Sequence, residues 1–597
     1  MFGGNDRSDN AAVNVASHRS NRHIRTGGKK HIARRIGFAH LLAACLLFAC
    51  PGVSANAPAG DEPIYDLVVY GANSGGVTAA VQARRMGKSV ILINPDRHVG
   101  GMTSSGLGHT DWGRREVIGG LSREFYQRVR AYYRDDARWV HEPRSAYLGQ
   151  AHLQANDDSQ WGFEPHAAER VFRDWLKEYD VPLVDGRLDR RDGKGVTAEG
   201  KRITAIVMED GKVYRGRMFI DAGYEGDLLA AAGVSHILGR ESNNTYGETL
   251  NGIQTRQTVY HVFTVPGRER VPPRPLPEEA RVDPYMVKGD PASGLLPGVN
   301  PDAGGPDGLG DHRVQSYCYR LCLTDHPENR VPFAQPEGYN EADYELLFRM
   351  FEAGEKRIPW LPARMPNRKT DTNNRWAVSM NLIGGSDEYP EAGTERRREI
   401  EKKHEHWQRG LMWTLANHPR VPADIRREVG KWGYAKDEFV DNDHWPPMIY
   451  IRVGRRMVSD YVMTEDDCRL RRVAPDSVGM GSYTMDSHNV QRYVTPEGYV
   501  QNEGNIEVPP AGPYAISYRA IIPRRGETEN LLVPWAVSSS HIAFGSIRME
   551  PVFMILGQSA ATAATIAIDE GVAVQDVDYA KLRERLLKDG QILEGPR

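Results

Sequence analysis

Residues Tyr65–Gly71, YDLVVYG, form an apolar run that stops at a glycine, and a second run, SVILIN, follows at Ser89–Asn94. Continuous apolar runs bounded by turn residues predict strands buried on both faces. Between them GVTAAVQARRMG is rich in small residues and predicts a helix, so Ile64–Asn94 predicts a strand–helix–strand unit of the usual size. In GGLSREFYQRVRAYY, Leu121, Phe125, Val129 and Tyr132 recur on one helical face. KRITAIVMEDGKVYRGRMFIDAG predicts a hairpin turning at Asp210-Gly211 and then a strand ending in a turn. The alternating stretches QTVYHVFTV and VQSYCYRLCLT predict two further strands, separated by a long surface loop in residues 266–306, which hold ten prolines. A charged helix with Ile400, Trp407, Leu411 and Leu415 on its inner face comes next. Near the end, NLLVPWAVSSS predicts a buried strand, and RMEPVFMILGQSAATAATIAIDEG predicts a narrow helix with Pro551 in its first turn.

Composition adds a leader to this picture. Residues 1–35 carry eight Lys/Arg against Asp6 and Asp9, and an uncharged stretch from Ile36 to Ala57 follows. A basic stretch, a short apolar run and Ala55-Asn56-Ala57 predict an export signal removed after Ala57. Arg34-Arg35 hints at the twin-arginine route, and LAAC ending at Cys45 hints more weakly at lipidation. Removing the leader takes the formal charge from −3 to −9, with no basic patch for nucleic acid and no apolar run left that predicts an integral membrane span. The expected location is periplasmic or secreted. The three cysteines beyond the leader, Cys318, Cys322 and Cys468, give neither a disulfide framework nor metal-ligand spacing.

The glycine loop GANSGG carries the first candidate chemistry. A strand pointing into a helix N-terminus gathers free N–H groups and partial positive charge, which suits a pyrophosphate. Gly71 suits the tight turn, and Gly76 lets the helix lie close to the strand. Asn73 stands where the dinucleotide fingerprint has its middle glycine; asparagine is tolerated at positive φ, and Ser74 and Gly75 add backbone groups. Asn94 stands where an acid normally holds the ribose, with Asp96 two residues on.

Three further stretches carry a resemblance. PDRHVGGMTSSGLGHTDWG, with Gly100, Gly101 and Met102, resembles the Gly-Gly segment that runs along the flavin in glutathione-reductase-like FAD proteins. MFIDAGYEGDLLAAAGV, with Asp221, Ala222, Gly226 and Asp227, resembles their second FAD motif. The final strand and helix resemble their closing segment, in which a helix N-terminus, here Glu550, Pro551, Val552 and Phe553, points at the flavin pyrimidine ring. Together these resemble bacterial FAD-dependent oxidoreductases related to fumarate reductase and aspartate oxidase flavoproteins, some of which are labelled xanthan lyase. The resemblance implies an α/β fold: a Rossmann-like FAD-binding domain from residues 58–235 and 511–597, with an α+β substrate domain inserted at 236–510.

It also implies an enzyme that transfers hydride between flavin N5 and a small polar substrate, with sugars, polyols and hydroxy acids ahead of others. No second nucleotide fingerprint appears, so the electron partner is expected to be oxygen, a quinone or another external carrier. His541, between the last strand and the last helix, is the leading acid/base candidate. Arg548 and His488 are further site candidates. Tyr319 or Arg320 is expected to face the flavin according to register, and Trp112, Tyr317 and Tyr319 suit a sugar face. His98 stands near where succinate dehydrogenases attach flavin covalently, and Glu164 either faces the cofactor or starts a helix. The rival readings are a flavin-dependent reductase of an activated C=C bond, which paired arginines would favour, a polysaccharide lyase without redox chemistry, and a binder without turnover.

Overall fold

A computed structural model describes residues 63–595 except 148–156, 192, 259, 269–271 and 273. The predicted leader, residues 1–57, lies outside the described residues.

The strand–helix–strand unit forms as the pattern dictates: β1 (Ile64–Tyr70), α1 (Ser74–Arg85) and β2 (Val90–Asn94). α2 (Gly120–Tyr132) and α3 (Pro165–Glu178) follow, then β3 (Leu183–Asp185), β4 (Val196–Glu199), β5 (Arg202–Val207) and β6 (Val213–Asp221). They build one sheet in the order β3-β2-β1-β6-β5-β4. The pairs β3/β2, β2/β1 and β1/β6 are parallel, whereas β5 and β4 add an antiparallel hairpin. β2 is buried along its whole length, as expected of a parallel strand covered on both faces.

The chain returns to this sheet at its far end. β7 (Leu531–Leu532) pairs in parallel with β6 at Phe219 and Ile220. α4 (Glu550–Glu570) then crosses α1 so closely that a Cβ at Gly557 would lie 2.1 Å from the Gly75 carbonyl oxygen. α4 is long and apolar enough to cross a membrane, but it is a core helix, 94% buried. Among the described residues a second, five-stranded antiparallel sheet is made by Leu323–Thr324, Arg330–Val331, Trp360–Met365, Lys369–Asn374 and Gly433–Ala435. One apolar core runs through both parts.

Three local expectations are corrected. At the end of α2, Tyr132 is half-buried, and Tyr133, just past the helix, is the buried tyrosine. The described residues of Gln257–Val265 form no strand, and of Val314–Thr324 only Leu323–Thr324 pairs with strands. The reason is that side chains satisfy these backbones. The Gln408 amide accepts from Tyr319 N at 2.6 Å and donates to Tyr319 O at 3.0 Å, standing in for a neighbouring strand. Leu321 N donates to Thr372 Oγ1 and Phe263 N to Gln501 Oε1, both at 2.9 Å. Glu164 takes the helix-start option, capping the N-terminal end of α3. It bonds the Tyr133 hydroxyl and the Asn367 amide and pairs with Lys369.

Candidate active site

At the carboxyl ends of β1, β2 and β6 lies a cleft with an open volume of about 970 Å³. It is lined by Gly71, Asn73, Asn94, Gly101 and Asp227 of the predicted cofactor residues, with Ala72, Tyr224 and four arginines, Arg187, Arg190, Arg397 and Arg398. Gly71 has φ +103°, and a Cβ there would meet the Ala222 carbonyl carbon at 2.8 Å; a Cβ at Gly76 would fall 1.8 Å from the Gly71 oxygen. Both glycines are therefore fixed by the close strand–helix turn.

Asn73 works differently from the expectation. Its φ is −78°, not positive, and it caps α1: Oδ1 accepts from Gly76 N at 3.0 Å and Nδ2 donates to Ala222 O. An asparagine fits because one side chain both caps the helix and ties it to the end of β6. Asn94 faces the cleft and donates to His98 O at 3.1 Å. Both His98 ring nitrogens lie against carboxylates, Glu169 at 2.8 Å and Asp441 at 3.3 Å.

Asp227 neutralises the arginines: Arg397 at 2.7 Å, Arg455 at 3.0 Å and Arg190 at 3.5 Å. Asp221 does not line this cleft. It accepts from Gly223 N and Leu229 N and so shapes the turn holding Ala222 and Gly226; burial pushes it up to about 7. Gly100 pairs its N–H with Ala72 O, and Met102 is buried with its N–H on the Tyr224 hydroxyl.

The N-terminal end of α4 is placed otherwise than expected. The Glu550 carboxylate accepts from Ser74 Oγ at 2.5 Å, Thr103 Oγ1 at 2.6 Å and Tyr224 OH at 2.9 Å. Burial raises its pKa against those bonds. Phe553 packs on Gly75 and Trp535, Ser122 bonds the Pro551 carbonyl, and Val552 is buried. Ser74, Gly75 and these α4 residues therefore buttress the cleft instead of lining it. An acid at a helix N-terminus is favourable there, which explains why Glu550 fills the position.

A second cleft, open volume about 1120 Å³, shares a wall with the first: Pro447, Met448, Ile449 and Ile451 face one side and Tyr450 the other. It is lined by Asp111, Arg320, Tyr450, Tyr483, Asp486 and His488. Arg548 lies beneath it, on the Tyr450 hydroxyl and on Asp486 Oδ2, both at 2.9 Å. Two candidates thus converge on Asp486, because His488 Nε2 also lies 3.3 Å from it. Burial alone raises Asp486, but His488 and Arg548 hold it far below the ordinary carboxylate range. Burial and Arg452 push His488 down to about 3, so it is neutral at physiological pH. Arg320 faces this cleft, paired with Asp371 at 2.7 Å, while Tyr319 packs inward on Trp445. Asp111 is raised by burial, with Arg320 and His109 opposing and the Tyr483 hydroxyl bonded to it.

His541 is displaced from the role expected of it. It is buried behind the cleft, with Nε2 on Ser487 Oγ at 3.0 Å and its backbone N–H on Glu241; burial and three arginines push it well below its ordinary value. It supports the Asp486–His488 segment and does not line the cleft. Asp111, Tyr450, Tyr483 and Asp486 carry no sequence signal of their own, save that Asp111 follows the Gly-Gly segment.

The family model described as FAD dependent oxidoreductase matches residues 66–586. The chain belongs to that family. Its fold is mixed α/β and Rossmann-like, and the family's cofactor is FAD. Similar solved structures include a flavin monooxygenase mutant from Stenotrophomonas maltophilia (15% identity, 27% of this chain and 38% of that chain, TM-score 0.17). Thioredoxin reductase from Streptococcus pyogenes (17%, 31% and 40%, 0.15) and L-proline dehydrogenase from P. horikoshii (18%, 30% and 58%, 0.22) are two more. This chain spans less than two thirds of each. No curated protein matches.

The first cleft fits FAD. Gly101 has φ +58°, and a Cβ there would strike the Tyr224 hydroxyl at 2.3 Å, so a glycine lets Tyr224 and Asn73 close in at the cleft's edge. The N-terminal end of α1, with Asn73 on the lining, answers a pyrophosphate, and Asn94 answers a ribose.

Proposed function

We propose that this FAD-dependent oxidoreductase oxidises a hydroxyl group of a small polar substrate, a sugar, polyol or hydroxy acid, held in the second cleft. The observation that carries this reading is the half-buried Asp111 carboxylate, raised by desolvation, beside the Tyr483 hydroxyl in a cleft that shares the wall of residues 447–451 with the cofactor cleft. Bound FAD supplies the two-electron acceptor for the reaction. Asp111 is a stronger base than an ordinary aspartate and takes the hydroxyl proton at its carboxylate oxygen. Tyr483 orients that carboxylate. Neutral His488, whose Nε2 donates to Asp486 and whose Nδ1 accepts from Asn381, contributes its ring to the cleft wall and does not titrate. The acid/base role predicted for His541 thus passes to Asp111.

The alternative, reduction of an activated C=C bond, needs cations free to hold substrate carboxylates. Arg320 and Arg548 are already matched by Asp371 and Asp486, which favours hydroxyl oxidation. The family supports redox chemistry and not a lyase. Anaerobic mixing tests the reading: sugars, polyols or hydroxy acids bleach the bound flavin, and Asp111→Asn slows bleaching about 100-fold or more while keeping flavin content. Reoxidation of reduced enzyme by unsaturated acids, with no bleaching by any hydroxyl compound, would overturn it. The basic leader with Ala55-Asn56-Ala57 supports export of the folded protein, and the electrons pass to oxygen, a quinone or another carrier. N-terminal sequencing of the periplasmic or secreted protein, starting at Pro58, tests the export reading.

A further inference from the structure

A third cavity, open volume about 1250 Å³, lies apart from both clefts and shares no lining residue with either. Its wall is mixed, with an apolar part that includes Leu346, Val378, Leu382 and Trp407, and Arg492 is set into it. Arg492 is 5% exposed and sits on the strand Gln491–Val494. Its Nε donates to Asn502 Oδ1 at 3.2 Å and Nη2 to Ala377 O at 3.1 Å, while Nη1 has no protein acceptor. Among the described residues no carboxylate pairs with it, and burial alone pushes it down to about 10.

This is unusual within the molecule. The buried arginines Arg240, Arg320, Arg397, Arg456 and Arg548 each hold a carboxylate, and Arg452, which also lacks one, instead donates to Ser316 O and Cys318 Sγ. Burying a guanidinium without a counter-charge is costly, so a site that does so is built to receive one. The two acids lining the cavity are engaged elsewhere: Asp387 accepts from Val314 N at 3.0 Å, and Asp343 from the Asn340 amide at 3.2 Å. Lys403 and Arg313 add positive charge at the lining.

We propose that this cavity binds an amphipathic carboxylate, its acid group on Arg492 and its apolar chain or ring against Leu346, Leu382 and Trp407. A guanidinium matches a carboxylate in geometry as well as charge. The helix Thr394–Asn417 turns Arg397, Arg398 and Glu401 to the cofactor cleft and Lys403, His406 and Trp407 to this cavity, so an occupant would rest on an element of the FAD site.

Calorimetric titration of the purified holoenzyme with octanoate tests the assignment, with 1-octanol as the neutral match. Octanoate binds at least tenfold more tightly than octanol. Arg492→Gln, which keeps hydrogen-bonding capacity without charge, weakens octanoate at least tenfold and leaves octanol unchanged. Leu382→Trp, which fills the cavity and leaves the guanidinium in place, weakens both; it serves should the arginine variant fail to fold. No octanoate binding to the wild-type holoenzyme at 1 mM, equal binding of octanol, or indifference to Leu382→Trp would each overturn the proposal. So would anaerobic bleaching of the flavin by octanoate, which would make the cavity part of the catalytic path.

Discussion

Gly557→Ala puts two principles in opposition. Alanine in a helix interior is better than glycine by about 1 kcal/mol, so α4 taken alone predicts a more stable protein. The tertiary structure predicts the reverse. The new Cβ would lie 2.1 Å from the Gly75 carbonyl oxygen and 2.7 Å from Thr78 Oγ1, and a backbone carbonyl cannot swing aside. α4 must then retreat from α1. Retreat stretches the 2.5 Å bond from Ser74 to Glu550 and disturbs the turn that carries the cofactor cleft. Forcing an extra carbon into a packed contact costs about 1–3 kcal/mol, and the upper end applies against backbone. Subtracting the helix preference leaves about 2 kcal/mol, or roughly 30-fold in the equilibrium that opens the crossing. Because the crossing buttresses the first turn of α1, the loss is expected in FAD affinity. The assay is flavin release measured by fluorescence on dilution, beside thermal melting of holoenzyme. Gly512→Ala is the control, since its Cβ meets only Leu470 Cδ1 at 3.4 Å. Full flavin retention by Gly557→Ala with a melting temperature at or above wild type would refute the reasoning.

Asn73→Ala removes the α1 cap and its tie to Ala222, and should cost about 1–2 kcal/mol in thermal unfolding and weaken FAD, whereas Asn73→Asp keeps the cap and recovers part of the loss. Lys369→Met leaves Glu164 and Glu438 buried without the ammonium that sits 2.7 Å from each; chemical denaturation should show a loss of about 3–5 kcal/mol, and a neutral result would mean that those acids are not ionised in the fold. His404 bonds Ile400 O through Nδ1 and Ser386 Oγ through Nε2, and burial pushes it down to about 4. Its folded pKa is below the unfolded value of about 6.5, so its contribution is whole above that pH and is lost as pH falls toward about 4. Between those values wild type should lose up to about 1.4 kcal/mol per pH unit more than His404→Gln; parallel stability–pH curves for the two would contradict the assignment.

The sequence by itself determined the parts whose physics is local. Two unbroken apolar runs around a small-residue helix suffice for β1, α1 and β2, because a parallel strand covered on both faces needs no polar alternation. The glycine and alanine content of α4 announced a narrow helix suited to lie against a sheet or a ligand, where the structure sets it against α1, and the family's motifs in order announced FAD. Other outcomes depended on contacts between distant residues, which periodicity does not record. The Gln408 side chain replaces a strand beside Tyr319, so an alternating sequence there forms no ladder. The negative φ of Asn73 follows from its reach to Ala222, across the end of the sheet. Tertiary structure alone placed His541 behind Ser487 and brought Asp111, Arg320 and Asp486 to one wall from segments hundreds of residues apart. Their side chains acquire shifted proton affinities only through shared burial and mutual charge, and those arise when the chain closes on itself.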